Sequence, residues 1–297
     1  MGIYTEQLHR HLQAIECALP TYLPTTDGRA GVTAEAMHYA CEGGGKRLRP
    51  VLVLEWMRLC GGDPQDALAF ACALEMIHSY SLVHDDLPCM DNSPMRRGKP
   101  SAHAAYGETM ALLAGDGLLN RAFEVCLDPA NTAALKPENV LKAAHTLAVA
   151  AGYEGMIGGQ TIDLANEGKR IDVDTLRELH RKKTGALLIA ACQLGAQLAD
   201  TDADTVNTAV EYGAHLGLAF QIVDDILDAT ATAEQLGKPV GADEQNEKTT
   251  YVSLFGLDGA IEMAKEETAA ATTALDAFGD RAADLRTLTA ELLTRIS

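Results

Sequence analysis

The sequence is poor in aromatic residues, which make up 5% of its 297 positions, and few of its segments alternate between apolar and polar residues. β-Strands favour aromatic and β-branched side chains and a period of two, so both shortages argue against a sheet protein. Alanine is abundant instead, and alanine is the strongest helix former. The composition therefore predicts an all-α fold.

Positive charge is also scarce, because 24 Lys and Arg stand against 42 Asp and Glu and give a net charge of −18 at pH 7. A nucleic-acid-binding protein needs a basic face that neutralises phosphates, so we expect no nucleic-acid partner. A small phosphorylated ligand is not excluded, because a local group of cations is sufficient to bind it.

Paired cysteines and long apolar runs are missing as well. The seven cysteines form no Cys-x-x-Cys spacing, which suits single thiols in a reducing compartment. The N-terminus has no apolar signal core, and no run approaches the ~18 uninterrupted apolar residues of a membrane span. We therefore expect a cytoplasmic protein without a membrane span.

Hydrophobic periodicity predicts about ten or more helices in one domain that covers residues 1–297, and no confident strand. Pro50 is expected to open a helix as its first residue, and Pro20 to lie in a loop. Residues 229–250 are rich in glycine and charge without periodicity, which predicts a flap. The predicted helices are 3–18, 33–43, 50–60, 63–87, 108–127, 137–151, 154–167, 173–199, 204–228, 258–278 and 281–295.

Two acidic clusters each end an apolar run. In the second cluster, Asp224, Asp225 and Asp228 are three or four residues apart and can share one face of a helix. Like charges at this spacing destabilise a helix, and acids near its C-terminus oppose the helix dipole. The cluster is therefore either a solvated helix end or the site of a bound cation.

The first cluster contains Asp85, Asp86 and Asp91. On a straight helix Asp85 and Asp91 would point about 120° apart, so the intervening Pro88 predicts a broken turn that brings Asp91 back to Asp85. Ligands that are all carboxylates favour a hard cation, and neighbouring phosphate-binding cations favour Mg²⁺.

Grouped cations accompany both clusters. The segment from Gly43 to Pro50 reads Gly-Gly-Gly-Lys-Arg-Leu-Arg-Pro and is either a phosphate-binding turn or a helix C-cap followed by surface cations. It lacks the spacing of a Walker A loop. His78 lies two helical turns before Asp85, as a core residue or a ligand. Together these features predict a pocket for Mg²⁺ and more than one anionic group.

In this order the motifs resemble those of the trans-prenyltransferases, or polyprenyl diphosphate synthases, and among them the bacterial-type farnesyl diphosphate synthases. The resemblance covers essentially the whole chain. It rests on Gly44 to Pro50, Asp85 to Asp91, Arg96 to Pro100, Gly158-Gly159-Gln160, Lys183-Thr184-Gly185, Phe220 to Asp228, Gly237-Lys238 and Lys248.

The resemblance implies a single helical-bundle domain with the isoprenoid synthase fold and a central cavity. It assigns catalytic roles to Asp85, Asp91, Asp224, Lys183 and Arg96. It implies that Asp85, Asp91 and Asp224 hold Mg²⁺ and that Asp86, Asp225 and Asp228 support the metal directly or through water. The allylic diphosphate would be bound by Arg96, Lys183, Thr184, Gln221, Lys238 and Lys248, and isopentenyl diphosphate by Lys46, Arg49, His78 and Arg97.

The implied reaction joins isopentenyl diphosphate head-to-tail to dimethylallyl and then geranyl diphosphate, with farnesyl diphosphate as product, in a homodimer. Tyr80, five residues before Asp85, would be the floor that stops elongation, although helix geometry places the small Ser81 more squarely beneath Asp85. The alternatives are a geranylgeranyl diphosphate synthase and a non-catalytic partner subunit. One departure from the family pattern is Asn92-Ser93-Pro94-Met95, where many relatives carry further acids.

Overall fold

The computed structural model describes residues 4–42, 44–230 and 248–294, and most of these residues are helical. The described part of the predicted flap is limited to its two ends, since residues 231–247, with Gly237 and Lys238, lie outside the described residues. The α-helices are α1 Glu6–Tyr22, α2 Gly31–Glu42, α3 Leu48–Leu59, α4 Leu68–Asp85, α5 Ala102–Tyr106, α6 Glu108–Leu127, α7 Pro137–Ala151, α8 Met156–Ala165, α9 Val173–His180, α10 Ala186–Leu198, α11 Ala203–Thr230, α12 Tyr251–Ala274 and α13 Ala283–Thr294.

Shorter elements connect them. Two 3₁₀ turns, Pro64–Ala67 and Asp276–Ala282, precede α4 and α13, and a π-helical turn, Arg181–Gly185, joins α9 to α10. Strands β1 Met95–Arg96 and β2 Lys99–Pro100 pair as a short antiparallel hairpin. The sequence showed no confident strand, and this hairpin is too short to show an alternating pattern.

The hydrophobic core lies around α3, α4 and α10, whose buried side chains belong to it. Its largest fully buried side chains include Trp56, Tyr212 and Phe70. Helix α4 is largely apolar and most of its residues are buried, as expected of a helix enclosed by neighbouring helices. By length and composition alone the segment Pro64–Asp85 could cross a membrane, but 72% of its most apolar stretch is buried inside the protein. This apolar segment is thus a core helix of the domain.

Several helix boundaries were predicted correctly, since α6 and α7 begin and end at the expected residues. Two proline expectations were wrong. Pro20 lies inside α1, in its last turn, where the missing N–H removes few hydrogen bonds. Pro50 is the third residue of α3 and not the first, because the helix begins at Leu48 directly after the left-handed Arg47.

Candidate active site

The first acidic cluster lies where α4 ends. The helix stops at Asp85, and the chain then folds back so that the backbone N–H of Asp91 donates to the carbonyl oxygen of Asp85 at 2.9 Å. Pro88 cannot continue the helix and disfavours helical geometry at Leu87. The predicted broken turn is confirmed, and it places the backbone of Asp91 beside that of Asp85.

The carboxyl group of Asp85 lies in a partly desolvated position between charges of both signs. Burial raises its pKa to about 6; Lys183 and Arg96 oppose this shift, while Asp91 and Asp86 add to it. The interaction with Lys183 shows that the π-helical turn faces the first cluster. Carboxylates that repel one another in this way would be stabilised by a bound cation.

The donor set suits Mg²⁺, because it consists of carboxylates beside cationic groups that could hold phosphate. Within residues 4–42, 44–230 and 248–294, no three His, Cys, Asp or Glu side chains form a group able to hold a metal ion. Mg²⁺ keeps several waters and usually binds through one or two protein carboxylates together with substrate phosphates. The carboxylates therefore fit a metal that arrives with a diphosphate.

Asp86 contacts a guanidinium group. The side chain is 2% exposed, and Arg96 Nε lies 3.1 and 3.2 Å from its two carboxylate oxygens. The hairpin β1–β2 carries Arg96 and so brings it over the end of α4. In this arrangement the predicted metal-supporting residue and the predicted diphosphate-binding arginine form an ion pair with each other.

The second cluster lies near the end of α11, and its members have different surroundings. Asp225 is buried and accepts hydrogen bonds from Gln221 Nε2 at 3.1 Å and from the backbone N–H of Tyr251 at 2.9 Å. Asp228 is also buried, whereas Asp224 is half-buried and lies close enough to Arg49 for its charge to oppose the lowering of the Arg49 pKa that burial causes. Asp225 therefore ties α11 to the start of α12.

The π-helical turn carries Lys183 and Thr184 toward α11 and α8. The Thr184 hydroxyl donates to Gln221 Oε1 at 3.0 Å, and Lys183 Nζ lies 2.5 Å from a carboxylate oxygen of Asp163. A Cβ atom at Gly159 would be 2.2 Å from the backbone nitrogen of Lys183. The predicted Gly158-Gly159-Gln160 motif thus allows α8 to pack directly against this turn.

Asp163 was missed from the sequence. Its carboxylate contacts Lys183 and also lies 3.7 Å from Lys248 Nζ, so it joins two of the predicted diphosphate-binding lysines. A cavity of about 140 Å³ runs beside these groups. The only sequence signal was an acid one helical turn after Gln160. His180, also unpredicted, lines the same cavity, and burial lowers its pKa to about 4.

The glycine-rich turn and the Arg pair form a second cationic group. Arg97 donates to the carbonyl oxygen of Gly44, and a Cβ at Gly45 would be 2.7 Å from the Arg97 guanidinium. Arg49 Nε is buried without a hydrogen-bond partner in the described structure. Lys46 lies at the exposed edge of this group.

His78 lies among these cations. Burial lowers its pKa well below the usual value, and Arg49, Arg97, Arg47 and Arg96 lower it further, in that order. The imidazole is therefore neutral at pH 7. Arg47 and Arg96 are paired with carboxylates, so Arg49 and Arg97 contribute most of the positive potential beside the neutral ring, which suits a multiply charged anion.

Tyr80 lies beneath the first cluster. It is 5% exposed, and both burial and the Asp85 carboxylate raise its pKa to about 12. Its ring meets the His84 ring edge-on, with 5.7 Å between centroids. Ser81 instead donates from its hydroxyl to the carbonyl oxygen of His78 in its own helix.

An all-α domain in which two acidic motifs adjoin two separate cationic groups defines a class of enzymes that handle diphosphates. Residues 31–287 match the family model described as polyprenyl synthetase, and the chain belongs to this family.

The chain is 48% identical to the farnesyl diphosphate synthase of Geobacillus stearothermophilus, over 86% of this chain and 85% of that one. It is 45% identical to a chloroplastic geranylgeranyl pyrophosphate synthase of Capsicum annuum, over 85% and 68%. Among solved structures, an FPP/GFPP synthase from Zymomonas mobilis has a TM-score of 0.86 and 36% identity and covers 96% of this chain and 97% of that one. A geranylgeranyl pyrophosphate synthetase from Pyrococcus horikoshii gives a TM-score of 0.88 at 30% identity, over 97% and 98%.

Proposed function

We propose that this chain is a prenyltransferase that condenses isopentenyl diphosphate with dimethylallyl and then geranyl diphosphate, releasing farnesyl diphosphate and inorganic diphosphate. The observation that carries the proposal is the presence of two separate cationic groups, one beside the acidic motifs and one around His78. Two diphosphates can then bind at once, which a condensation of two diphosphates requires. The farnesyl diphosphate synthases among the relatives support the fifteen-carbon product.

The allylic diphosphate occupies the group next to the acidic motifs. Asp85, Asp91 and Asp224 are the residues that would hold Mg²⁺ with it, and bound Mg²⁺ would supply Lewis-acid stabilisation of the leaving diphosphate. The cations and polar groups that contact its phosphates are Arg96, Lys183, Thr184, Gln221 and Lys248, together with Lys238, which lies outside the described residues.

The remaining aspartates of the two motifs act through other side chains. Asp86 orients Arg96, and Asp225 orients Gln221, as their hydrogen bonds indicate. Asp228 supports the metal site from its buried position on the same helix. These roles agree with indirect support of the metal, since Asp86 and Asp225 each bond to another side chain.

Isopentenyl diphosphate occupies the second group. Lys46, Arg49 and Arg97 neutralise its phosphates, and neutral His78 donates a hydrogen bond to them. The Arg49 Nε–H, buried without a partner in the described structure, is the donor whose desolvation a phosphate oxygen would offset. The chain thus offers a separate cationic group to each of the two diphosphates.

The reaction follows from these positions. The allylic C–O bond ionises as Lys183 and Arg96 stabilise charge that develops on the leaving diphosphate. The isopentenyl double bond attacks the allylic cation, and a proton is then lost. By the family resemblance, the departed diphosphate accepts this proton. The apolar wall formed by α4 excludes water from the cation. No side chain of the described motifs is required as the base.

The proposal is tested by product analysis of the purified protein with isopentenyl and dimethylallyl diphosphates, with and without Mg²⁺. We expect farnesyl diphosphate as the main product and no condensation when a chelator removes the metal. A main product of twenty carbons would favour the geranylgeranyl alternative, which the plant relatives also represent. Complete absence of turnover would favour the non-catalytic partner subunit.

We further propose that the protein works in the cytoplasm as a single catalytic domain over residues 1–297 that forms a homodimer. Twelve large hydrophobic side chains are exposed in the described structure, and eight of them lie between residues 112 and 164, mainly on α6, α7 and α8. Because α7 contacts both α6 and α8, we take these side chains as one interface, as exposed apolar patches often are. The eight are Leu112, Leu113, Leu127, Leu141, Val149, Tyr153, Ile157 and Leu164.

Leu141→Glu tests this interface, because Leu141 is 66% exposed on α7 and the substitution would place a charge in the buried contact. We expect the variant to shift from dimer to monomer in light scattering at micromolar concentration. The matched control is Val32→Glu, a 51% exposed residue on α2, which is expected to stay dimeric. A dimeric Leu141→Glu variant, or dissociation of both variants, would contradict an interface on α6–α8.

A further inference from the structure

Arg47 lies between two predicted isopentenyl diphosphate ligands but does not face the cavity. All three of its guanidinium nitrogens bond to protein: Nε to Glu16 at 2.7 Å, Nη1 to Glu75 at 2.7 Å and Nη2 to the carbonyl oxygen of Cys41 at 2.6 Å. The side chain of Arg47 has no solvent exposure. These three hydrogen bonds of Arg47 therefore fix the glycine-rich turn to α1, α2 and α4.

The turn needs these hydrogen bonds because its backbone conformation is unfavourable. Gly44 and Gly45 have positive φ values of 80° and 133°, and Arg47 itself has φ 50°, in the left-handed region. A residue with a side chain stays in that region only when its surroundings hold it there. The conformation of Arg47 fixes the directions in which Lys46 and Arg49 leave the turn.

Glu75 is the buried acid among the three groups that bond to Arg47. It lies on α4, is 2% exposed, and precedes His78 by three residues, so both side chains lie on the same face of the helix. The Glu75 charge also acts on Arg49 and Arg97. Burial lowers the pKa of both guanidinium groups, and among their neighbours Glu75 raises it most. Glu16, by contrast, has a side chain that is 46% exposed, so water can replace it.

We propose that Glu75 is a positioning residue for isopentenyl diphosphate: it holds Arg47 in the left-handed turn and counterbalances Arg49 and Arg97, so that these arginines meet the diphosphate already oriented. This inference rests on the proposed function, because it takes Arg49 and Arg97 as ligands of isopentenyl diphosphate. Glu75 is too deeply placed to touch the substrate itself and acts only through the arginines.

Glu75→Gln tests the proposal, because the amide keeps the volume and one accepting oxygen but removes the charge. We expect the KM for isopentenyl diphosphate to rise about tenfold, as for loss of one buried charge-assisted hydrogen bond. The KM for geranyl diphosphate and kcat are expected to change less than about threefold. The lost contact binds isopentenyl diphosphate equally well before and in the transition state, so its loss raises only the KM of that substrate. Calorimetric titration with isopentenyl diphosphate alone should show the same loss without turnover.

Two further variants make the result decisive. Glu16→Gln also removes a partner of Arg47, but at a solvated position, and should raise the KM for isopentenyl diphosphate less than about twofold. Arg47→Lys leaves Glu75 charged but removes the three hydrogen bonds of the guanidinium group, so it should also raise the KM for isopentenyl diphosphate selectively. This variant replaces Glu75→Gln if Glu75→Gln fails to fold.

Equal rises in the KM of both substrates, or equal effects of Glu16→Gln and Glu75→Gln, would overturn the positioning role. Failure of the proposed function gives a different result, because the unmodified protein would then neither bind isopentenyl diphosphate in the titration nor form a condensed product.

Discussion

The Asp85→Asn variant is expected to turn over about 10²–10³-fold more slowly than the unmodified protein, the loss typical of removing one preorganised electrostatic contact to the reacting charge. Asn keeps the shape of Asp and the backbone hydrogen bond that Asp91 donates to residue 85, so the turn stays intact. The neutral amide is a weaker ligand for Mg²⁺ than a carboxylate. The loss should therefore appear in catalysis and in metal dependence together, and not in folding.

The measurement is the initial rate as a function of Mg²⁺ concentration, with thermal unfolding as a check on the fold. Half-maximal activity of Asp85→Asn should require a higher Mg²⁺ concentration, and excess metal should restore part of the rate. Asp258→Asn is the matched control, because Asp258 is exposed on α12 and distant in sequence from both motifs. An Asp85→Asn variant with unchanged Mg²⁺ dependence would show that Asp85 is not a metal ligand.

Features that depend on neighbouring residues were predictable from the sequence. The ends of α6 and α7 follow from local periodicity and from Pro137, and the broken turn follows from Pro88 between two aspartates. The expected 154–167 helix is shorter at both ends, as Met156–Ala165, where the flanking residues form turns. Local signals thus fixed element type well and helix ends less well.

Features that depend on distant contacts were not predictable. The π-helical turn Arg181–Gly185 interrupts the expected 173–199 helix, although the apolar pattern continues through it. Its conformation accompanies close packing against Gly159, more than twenty residues earlier. Likewise, one hydrogen-bond donor to Asp225 is the backbone N–H of Tyr251, which follows it by 26 residues. Neither contact leaves a local pattern.

The same limit applies to residue roles within one motif. Arg47 and Arg49 are equally basic and two positions apart, yet Arg47 is bonded to buried Glu75 whereas Arg49 lies near Arg97 and Asp224. The sequence also places Asp224 and Asp225 side by side, but Asp225 is buried and accepts a hydrogen bond from the start of α12, whereas Asp224 is half-buried. Motifs identify which residue types meet at a site, whereas packing decides which member of a pair contacts the ligand.

Tyr80→Ala is expected to change the main product from fifteen carbons to twenty or more. Tyr80 is buried on α4 one turn before the acidic cluster, where a growing chain that starts at Asp85 would meet its ring. Removing a large side chain leaves a cavity that the surrounding helices fill only in part. The tail can then extend along α4 through further condensations, while the diphosphate sites remain unchanged.

The measurement is the distribution of product lengths, with thermal unfolding alongside, because truncating a buried aromatic side chain typically costs about 3–5 kcal/mol of stability. Ser81→Ala is the matched control, since Ser81 lies at the neighbouring position but bonds only to its own helix and presents little bulk. It should still release the fifteen-carbon product. If Tyr80→Ala folds, condenses both substrates and still stops at fifteen carbons, the floor of the cavity lies elsewhere, and the structure would direct attention to the neighbouring His84 ring.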